Sequence, residues 1–276
     1  MKIGIIGSGS ASTELPSHFH AEAARYPGVE LTLIQPRLSM FAFTPYERLL
    51  VDVGYVDAMQ SAAQAECNAI LINSFADYGI DAARAAVDAP IVGAGEAALH
   101  EASAIDGGRF CILTVWPKSM GFLYDERLRA MEITSRCLAI RHFSTEEELS
   151  RLAGADSVMA RMARHEDAII ESLRAACDEL IAEHQPDSIV LGCTCMSPIA
   201  QILAKHCAVP VIDGALSGLR LLASGSLVDS ASSANQITRT RRAHLIPDMV
   251  SAWVGAAHAP APAATSDCPV CITDVE

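Results

Sequence analysis

Two stretches, "ILINSFADYGIDAARAAVDAPIVGAGEAAL" (residues 70–99) and "IVLGCTCMSPIAQILAKHCAVPVIDGALSGL" (residues 189–219), are built alike. Each is an apolar run, a short polar break, a helical pattern, then proline, an apolar pair and glycine. Ser74 sits in the first break, 16 residues before Pro90, and Cys193 sits in the second, 17 residues before Pro210. Their 119-residue offset is too long for a solenoid repeat and suits a duplicated lobe. The apolar runs are hydrophobic at nearly every position, as in parallel strands covered on both faces.

The same alternation continues outward. Apolar runs occur at "KIGIIG", "VELTLIQ", "AILIN", "PIVGAG", "FCILTVW", "LAIRHF", "SIVLGC" and "PVIDGA". Helical patterns separate several of them, such as "YVDAMQSAAQAE" and "MARMARHEDAIIESLRAACDELIAEH". Strands alternating with helices predict an α/β fold of two pseudo-symmetric lobes, each a mainly parallel sheet flanked by helices. The expected first lobe is residues 1–107 plus 213–254, and the second is 108–212. Residues 255–276 form an Ala/Pro-rich tail. Ligands of parallel α/β sheets bind beyond the strands' carboxyl ends, so Ser74 and Cys193 are expected on opposite walls of one cleft.

Composition narrows the function classes. The chain has 276 residues, just over half hydrophobic, and a net charge of −13. Its one basic cluster is "TRTRR" (residues 238–242), so nucleic-acid binding is not expected, because phosphate neutralisation needs a Lys/Arg surface. No apolar run reaches the roughly 18 residues of a membrane span, and "MKIGIIGSGS" reads as a strand and a turn. A cytosolic protein is the expectation. An odd count of nine cysteines argues against a disulfide framework. Cys67, Cys111, Cys137, Cys177 and Cys207 read as small buried hydrophobes. The tail's "CPVC" (Cys268, Cys271) is half a zinc set, and no metal is assigned to it.

The loop "GSGSAS" (residues 7–12) lacks the third glycine of a dinucleotide fingerprint, and no cofactor is expected. Ser8 and Ser10 are candidate donors to a substrate carbonyl or carboxylate. In "LGCTCM", Cys193 stands before a helix start, where exposed N–H groups favour its thiolate, and Thr194 with the following amides can hold an anionic oxygen. In "INSFADYG", Asn73 and Ser74 read equally as helix caps or site residues.

Together, "NSFADYG…PIVGAGEAA" and "VLGCTCM…PVIDG" resemble the aspartate/glutamate/hydantoin racemase superfamily, most of all its hydantoin racemase branch with "CF-D-G", "G-GEAA" and "LGC--M" segments. The resemblance runs from Met1 to about Ala223. It implies two-lobed, cofactor-free enzymes, usually homo-oligomers, acting on small molecules. A cysteine on each side of an acidic α-carbon removes the proton from one face and returns one to the other. Cys193 matches the second cysteine, while Ser74 stands where the first belongs, followed by Phe75 and Asp77. A thiol titrates near about 8.5, whereas an alcohol reacts only beside a base. No histidine adjoins Ser74 in sequence, which leaves His18, His20 and His100 to approach in space.

Three readings of this serine stay open. It disables a racemase, it leaves a one-sided enzyme like the family's arylmalonate decarboxylases, or Cys193 is a nucleophile in a lyase or hydrolase reaction. A non-catalytic metabolite binder is the alternative of another class. The catalytic candidates are Cys193 and Ser74. Ser8, Ser10, Asn73, Phe75, Thr114 in "ILTVWP", Thr194 and Cys195 are the substrate-binding candidates. Trp116 reads equally as cleft wall or core, and Glu96 and Asp213 as ligand-orienting groups or helix caps.

Overall fold

The computed structural model describes residues 1–7, 14–149, 156–225 and 238–257. All eight apolar runs are strands: β1 Lys2–Ile6, β2 Glu30–Ile34, β3 Ala69–Ile72, β4 Ile91–Gly93, β5 Phe110–Thr114, β6 Cys137–His142, β7 Ser188–Leu191 and β8 Val211–Asp213. The helices are α1 Ser17–Ala23, α2 Pro45–Gln64, α3 Ile80–Ala86, α4 Ala94–Ala104, α5 Phe122–Ala130, α6 Glu146–Leu149, α7 Val158–Ala163, α8 Asp167–His184, α9 Ser197–His206, α10 Gly214–Ala223 and α11 Leu245–Ala257. None of the described helices is long and apolar enough to cross a membrane.

Two four-stranded sheets result, ordered β2-β1-β3-β4 and β6-β5-β7-β8, and every pairing is parallel. The orders superpose strand for strand, and the strands carrying the two repeats, β3 and β7, hold the same internal position. Ile70, Leu71, Ile72, Ile189, Val190 and Leu191 are buried, as strands covered on both faces must be.

The covering helices are exchanged between the sheets. Helix α4 leaves the first sheet after β4, yet Ala98, Leu99 and Ala102 pack on Phe110, Ile112, Val190 and Ile212 of the second. Helix α10 leaves the second sheet after β8 and lays Ala215, Leu219 and Leu222 on Ile3, Ile5, Ala69 and Leu71 of the first. The two helices meet through small residues. A Cβ on Gly214 would lie 2.3 Å from the Ala94 carbonyl oxygen and 3.2 Å from the Ala98 Cβ, so only glycine permits this approach.

The expected helical run before β7 is split in two. His165 adopts a left-handed conformation (φ 54°) between α7 and α8, and the chain restarts at Asp167 with Glu166 as N-cap. At the carboxyl end, α11 continues to Ala257, past the sequence-based tail boundary at residue 255. The rest of the tail, with Cys268 and Cys271, lies outside the described residues. Cys67, Cys111 and Cys177 are buried, whereas Cys137 and Cys207 are only half-buried.

Asp77 binds the first repeat to this core. Its carboxylate accepts N–H bonds from Gly95 (2.9 Å) and Glu96 (2.7 Å) at the start of α4, and Arg127 of α5 approaches to 3.4 Å. Asp213 does the equivalent for α10, accepting from Ala215 N–H (3.0 Å), Leu216 N–H (3.4 Å) and the Ser197 hydroxyl (2.8 Å). A carboxylate at a helix N-terminus satisfies orphan donors and complements the dipole. Asp213 is thus a cap. Glu96 is paired with Arg84 at 2.6 Å, and Asp77 supplies the cap at that helix. Burial pushes the Asp77 carboxyl up to about 7, against the pull of Arg127 and the two N–H donors.

Two predictions follow from this packing. Gly214→Ala should cost about 1–3 kcal/mol, read as a lower urea midpoint, because backbone at the α4–α10 crossing must move. For Asp77, the folded state favours the protonated carboxyl. Its contribution is complete below the ordinary value of 3.8 and lost as pH rises through about 7. Urea unfolding across that window should therefore show Asp77→Asn with a flatter loss of stability than the parent, by on the order of a few kcal/mol. Identical slopes would show that this carboxyl does not titrate there.

Candidate active site

The carboxyl ends of β3 and β7 open onto one cavity of about 520 Å³, and both Ser74 and Cys193 line it. The turns after these strands touch, since the Thr194 hydroxyl donates to the Asn73 carbonyl oxygen at 3.2 Å. The duplicated breaks thus confront each other across a shared space.

Each break uses the same local device. Ala76 N–H donates to Ser74 Oγ at 3.4 Å, and Cys195 N–H donates to Cys193 Sγ at 3.1 Å. In each, the side chain of Ser74 or Cys193 turns back to accept the N–H two positions on. Cys193, at φ −147° and ψ 133°, does so at the head of the short turn Thr194–Met196 that leads into α9. Sulfur in that place accepts one backbone N–H at the head of a turn, a kind of setting in which thiolates are generally favoured.

A third strand end holds the turn from behind. Thr114, last in β5, is fully buried. Its hydroxyl bonds the Tyr124 hydroxyl and accepts from Trp116 N–H at 3.2 Å. Tyr124 donates to the Gly192 carbonyl at 2.9 Å, immediately before Cys193. Thr114 is therefore not on the cavity wall. Its hydroxyl, expected from sequence to reach a substrate, is spent on orienting Tyr124. A Cβ on Gly192 would fall within 2.9 Å of Ile112, Thr114 and Tyr124, so the residue before Cys193 must be glycine for this packing. Burial pushes the Tyr124 phenol upward, which keeps it neutral and a donor.

Of the other sequence candidates, Asn73, Phe75, Thr194 and Cys195 line the cavity, and so does Trp116. Ser8 and Ser10 lie outside the described residues. His18, His20 and His100 are not on the wall. The His18 ring lies tilted against Phe19 with centroids 4.9 Å apart, and burial lowers its pKa. Ser74 consequently has no histidine base from these three.

Sequence reading missed most of the apolar wall. Met40, Phe41, Tyr55, Tyr78, Leu123 and Met159 come from loops and helices, where nothing in their spacing separates a cavity wall from core. Among the described residues, no lysine, arginine, histidine, aspartate or glutamate lines the cavity. Behind the wall, Arg48 lies 5.2 Å from the Tyr78 ring centroid and is already paired with Asp52 and Glu126. Burial raises the Tyr78 phenol to about 12. Among the described residues, no group of three His, Cys, Asp or Glu side chains is placed to hold a metal ion.

The cavity also holds a feature that the cysteine count did not anticipate. Cys193 and Cys195 are joined as a disulfide, a local ring and not a framework between distant segments. The reason is local. The turn that brings Cys195 N–H onto Cys193 Sγ sets the two Cα atoms 5.2 Å apart, within the ordinary disulfide range.

Comparison with known proteins agrees with this architecture. The profile of the Asp/Glu/Hydantoin racemase family matches residues 3–222. A hydantoin racemase of Pseudomonas sp. (strain NS671) is 26% identical over 223 residues, covering 80% of this chain and 84% of that protein. A hydantoin racemase of Paenarthrobacter aurescens is 34% identical over 159 residues, covering 57% of this chain and 61% of that one. Among solved structures, the allantoin racemase from Klebsiella pneumoniae superposes with a TM-score of 0.70 at 23% identity, covering 87% of this chain and 94% of that one. With two parallel sheets in superposable order and a profile match across most of its length, the chain belongs to the Asp/Glu/hydantoin racemase family.

Proposed function

We propose that this chain moves a proton at the acidic α-carbon of a neutral, hydantoin-like ring bearing an apolar substituent, without a cofactor, and that reduced Cys193 is the working base and acid. The observation that carries this reading is that Cys193 and Ser74 share the wall of one cavity that has no charged side chain among its described lining residues. An apolar wall of methionine and aromatic side chains suits an uncharged ring and disfavours a free carboxylate, which would enter without a cationic partner. The hydantoin racemase relatives support the ring chemistry.

Proton removal by the Cys193 thiolate leaves an enolate on the ring. Its oxygen needs hydrogen-bond donors, each worth roughly 3 kcal/mol in a closed site. The two breaks are the natural source of backbone donors. Return of the proton from Cys193 restores the original hand. Return on the opposite face falls to the Ser74 side, where an alcohol without a neighbouring base is a poor proton carrier. Solvent exchange on the Cys193 face should therefore outrun inversion.

Reduced protein incubated with each enantiomer of benzyl-substituted hydantoin in deuterated water tests this. One enantiomer should exchange its α-hydrogen faster than it inverts. Cys193→Ala should lower exchange by about 10²–10⁴-fold, whereas Ser74→Cys should raise inversion towards the exchange rate. A carboxylate-bearing hydantoin should exchange more slowly. Undiminished exchange in Cys193→Ala would overturn the reading, and binding without any exchange would favour a metabolite binder.

A further inference from the structure

Seven cysteines lie among the described residues, and only two of them, Cys193 and Cys195, line the cavity. They are bonded to each other, with Cα atoms 5.2 Å apart. Cys67, Cys111, Cys137, Cys177 and Cys207 are free thiols away from the cavity. The second sulfur is therefore built into the same turn as the first, on the wall of the same cavity. The Thr194 hydroxyl on Asn73 O holds the residue between them.

We propose that Cys193 and Cys195 form a reversible oxidation site for peroxides. In it Cys195 captures oxidised Cys193 as a disulfide, switching proton transfer off and sparing the catalytic sulfur from irreversible oxidation. The loss of activity rests on the proposed role of Cys193; the oxidation chemistry does not.

The steps balance. The Cys193 thiolate, favoured by Cys195 N–H at 3.1 Å, attacks one oxygen of hydrogen peroxide. The O–O bond breaks, hydroxide leaves, and Cys193 becomes a sulfenic acid. The Cys195 thiol then attacks the sulfenic sulfur, an S–S bond forms, and water leaves with the thiol proton. Two thiols and one peroxide give one disulfide and two waters. An external dithiol reverses the step by thiol–disulfide exchange and is itself oxidised. In the disulfide neither sulfur can accept or donate the α-proton. A residue at position 195 that could not form this bond would leave the sulfenic acid open to further oxidation to sulfinic acid.

The full-length protein, first reduced, is treated with hydrogen peroxide, blocked with iodoacetamide and digested, and the peptide spanning both cysteines is weighed. The expected product lacks label at both positions and is lighter by two hydrogens. Dithiothreitol before blocking should restore both labels. In Cys195→Ser, the same treatment should drive Cys193 to sulfinic or sulfonic acid that dithiothreitol does not recover. Hydrogen exchange on the hydantoin should be lost with peroxide and regained with dithiothreitol only in the parent. Over-oxidation of Cys193 at equal rates in parent and variant would overturn the proposal. So would full alkylation after peroxide, or pairing of either sulfur with another cysteine. The peptide masses read this chemistry whether or not Cys193→Ala abolishes exchange, so failure of the catalytic reading is seen separately.

Discussion

The close crossing of α4 and α10 is the constraint on which the site depends. Each helix is the continuation of one sheet and the cover of the other, so neither sheet completes its core without its counterpart. The crossing is tight because Gly214 lets the backbone of one helix lie against the Ala94 carbonyl of the other. Apolar area removed from water contributes roughly 25 cal/mol per Å², and here that contribution is shared between the halves. The halves are consequently fixed in relative position by burial, and with them the turns at the carboxyl ends of β3 and β7. A hydrogen bond such as Thr194 to Asn73 could not hold two lobes together by itself, since its net contribution is about 1 kcal/mol. It sets the fine register between turns that packing has already brought together.

Buried carboxylates finish what packing begins, and they do so unequally. Asp213 caps the helix it precedes and holds Ser197 at the head of α9. Asp77 instead reaches from the turn that carries Ser74 to the head of α4, and meets Arg127 of α5 there. The first turn is therefore anchored to a helix that covers the second sheet, and Asp213 ties the head of α9 to α10, which covers the first. Tyr124 adds a matching constraint on the sulfur side by holding the Gly192 carbonyl. Ser74 and Cys193 thus occupy equivalent positions on unequal supports.

Much of this was legible in the residues. Strands buried on both faces are nearly continuous apolar runs, so all eight could be read off directly, and the repeated spacing to Pro90 and Pro210 revealed the duplication. The packing of α4 on the second sheet was not legible. Periodicity says which face of a helix is buried but not against which sheet. Thr114 misled for a related reason. A hydroxyl at a strand end looks available, but Tyr124, ten residues on, reaches back to it from α5. The apolar wall was invisible because Met40, Tyr55 and Met159 have the same hydrophobicity whether they face a ligand or a core. The disulfide escaped because counting nine cysteines tests for long-range frameworks, whereas Cys193 and Cys195 are joined within a single turn.

The duplicated turns present an oxygen and a sulfur through the same backbone device, each accepting an N–H from two residues on. Geometry therefore does not separate the two side chains; acidity does. A thiol titrates near about 8.5 and lies within reach of neutral pH when donors surround it. An alcohol needs a base, and none of the described residues on the wall supplies one. Adding a charged base to such an apolar cavity would carry a desolvation cost of several kcal/mol unless it were paired. A second thiol costs far less, because it can be buried neutral and ionise only as the proton moves. Within this cavity, exchanging oxygen for sulfur at position 74 is thus the smallest change that would make both faces chemically equivalent.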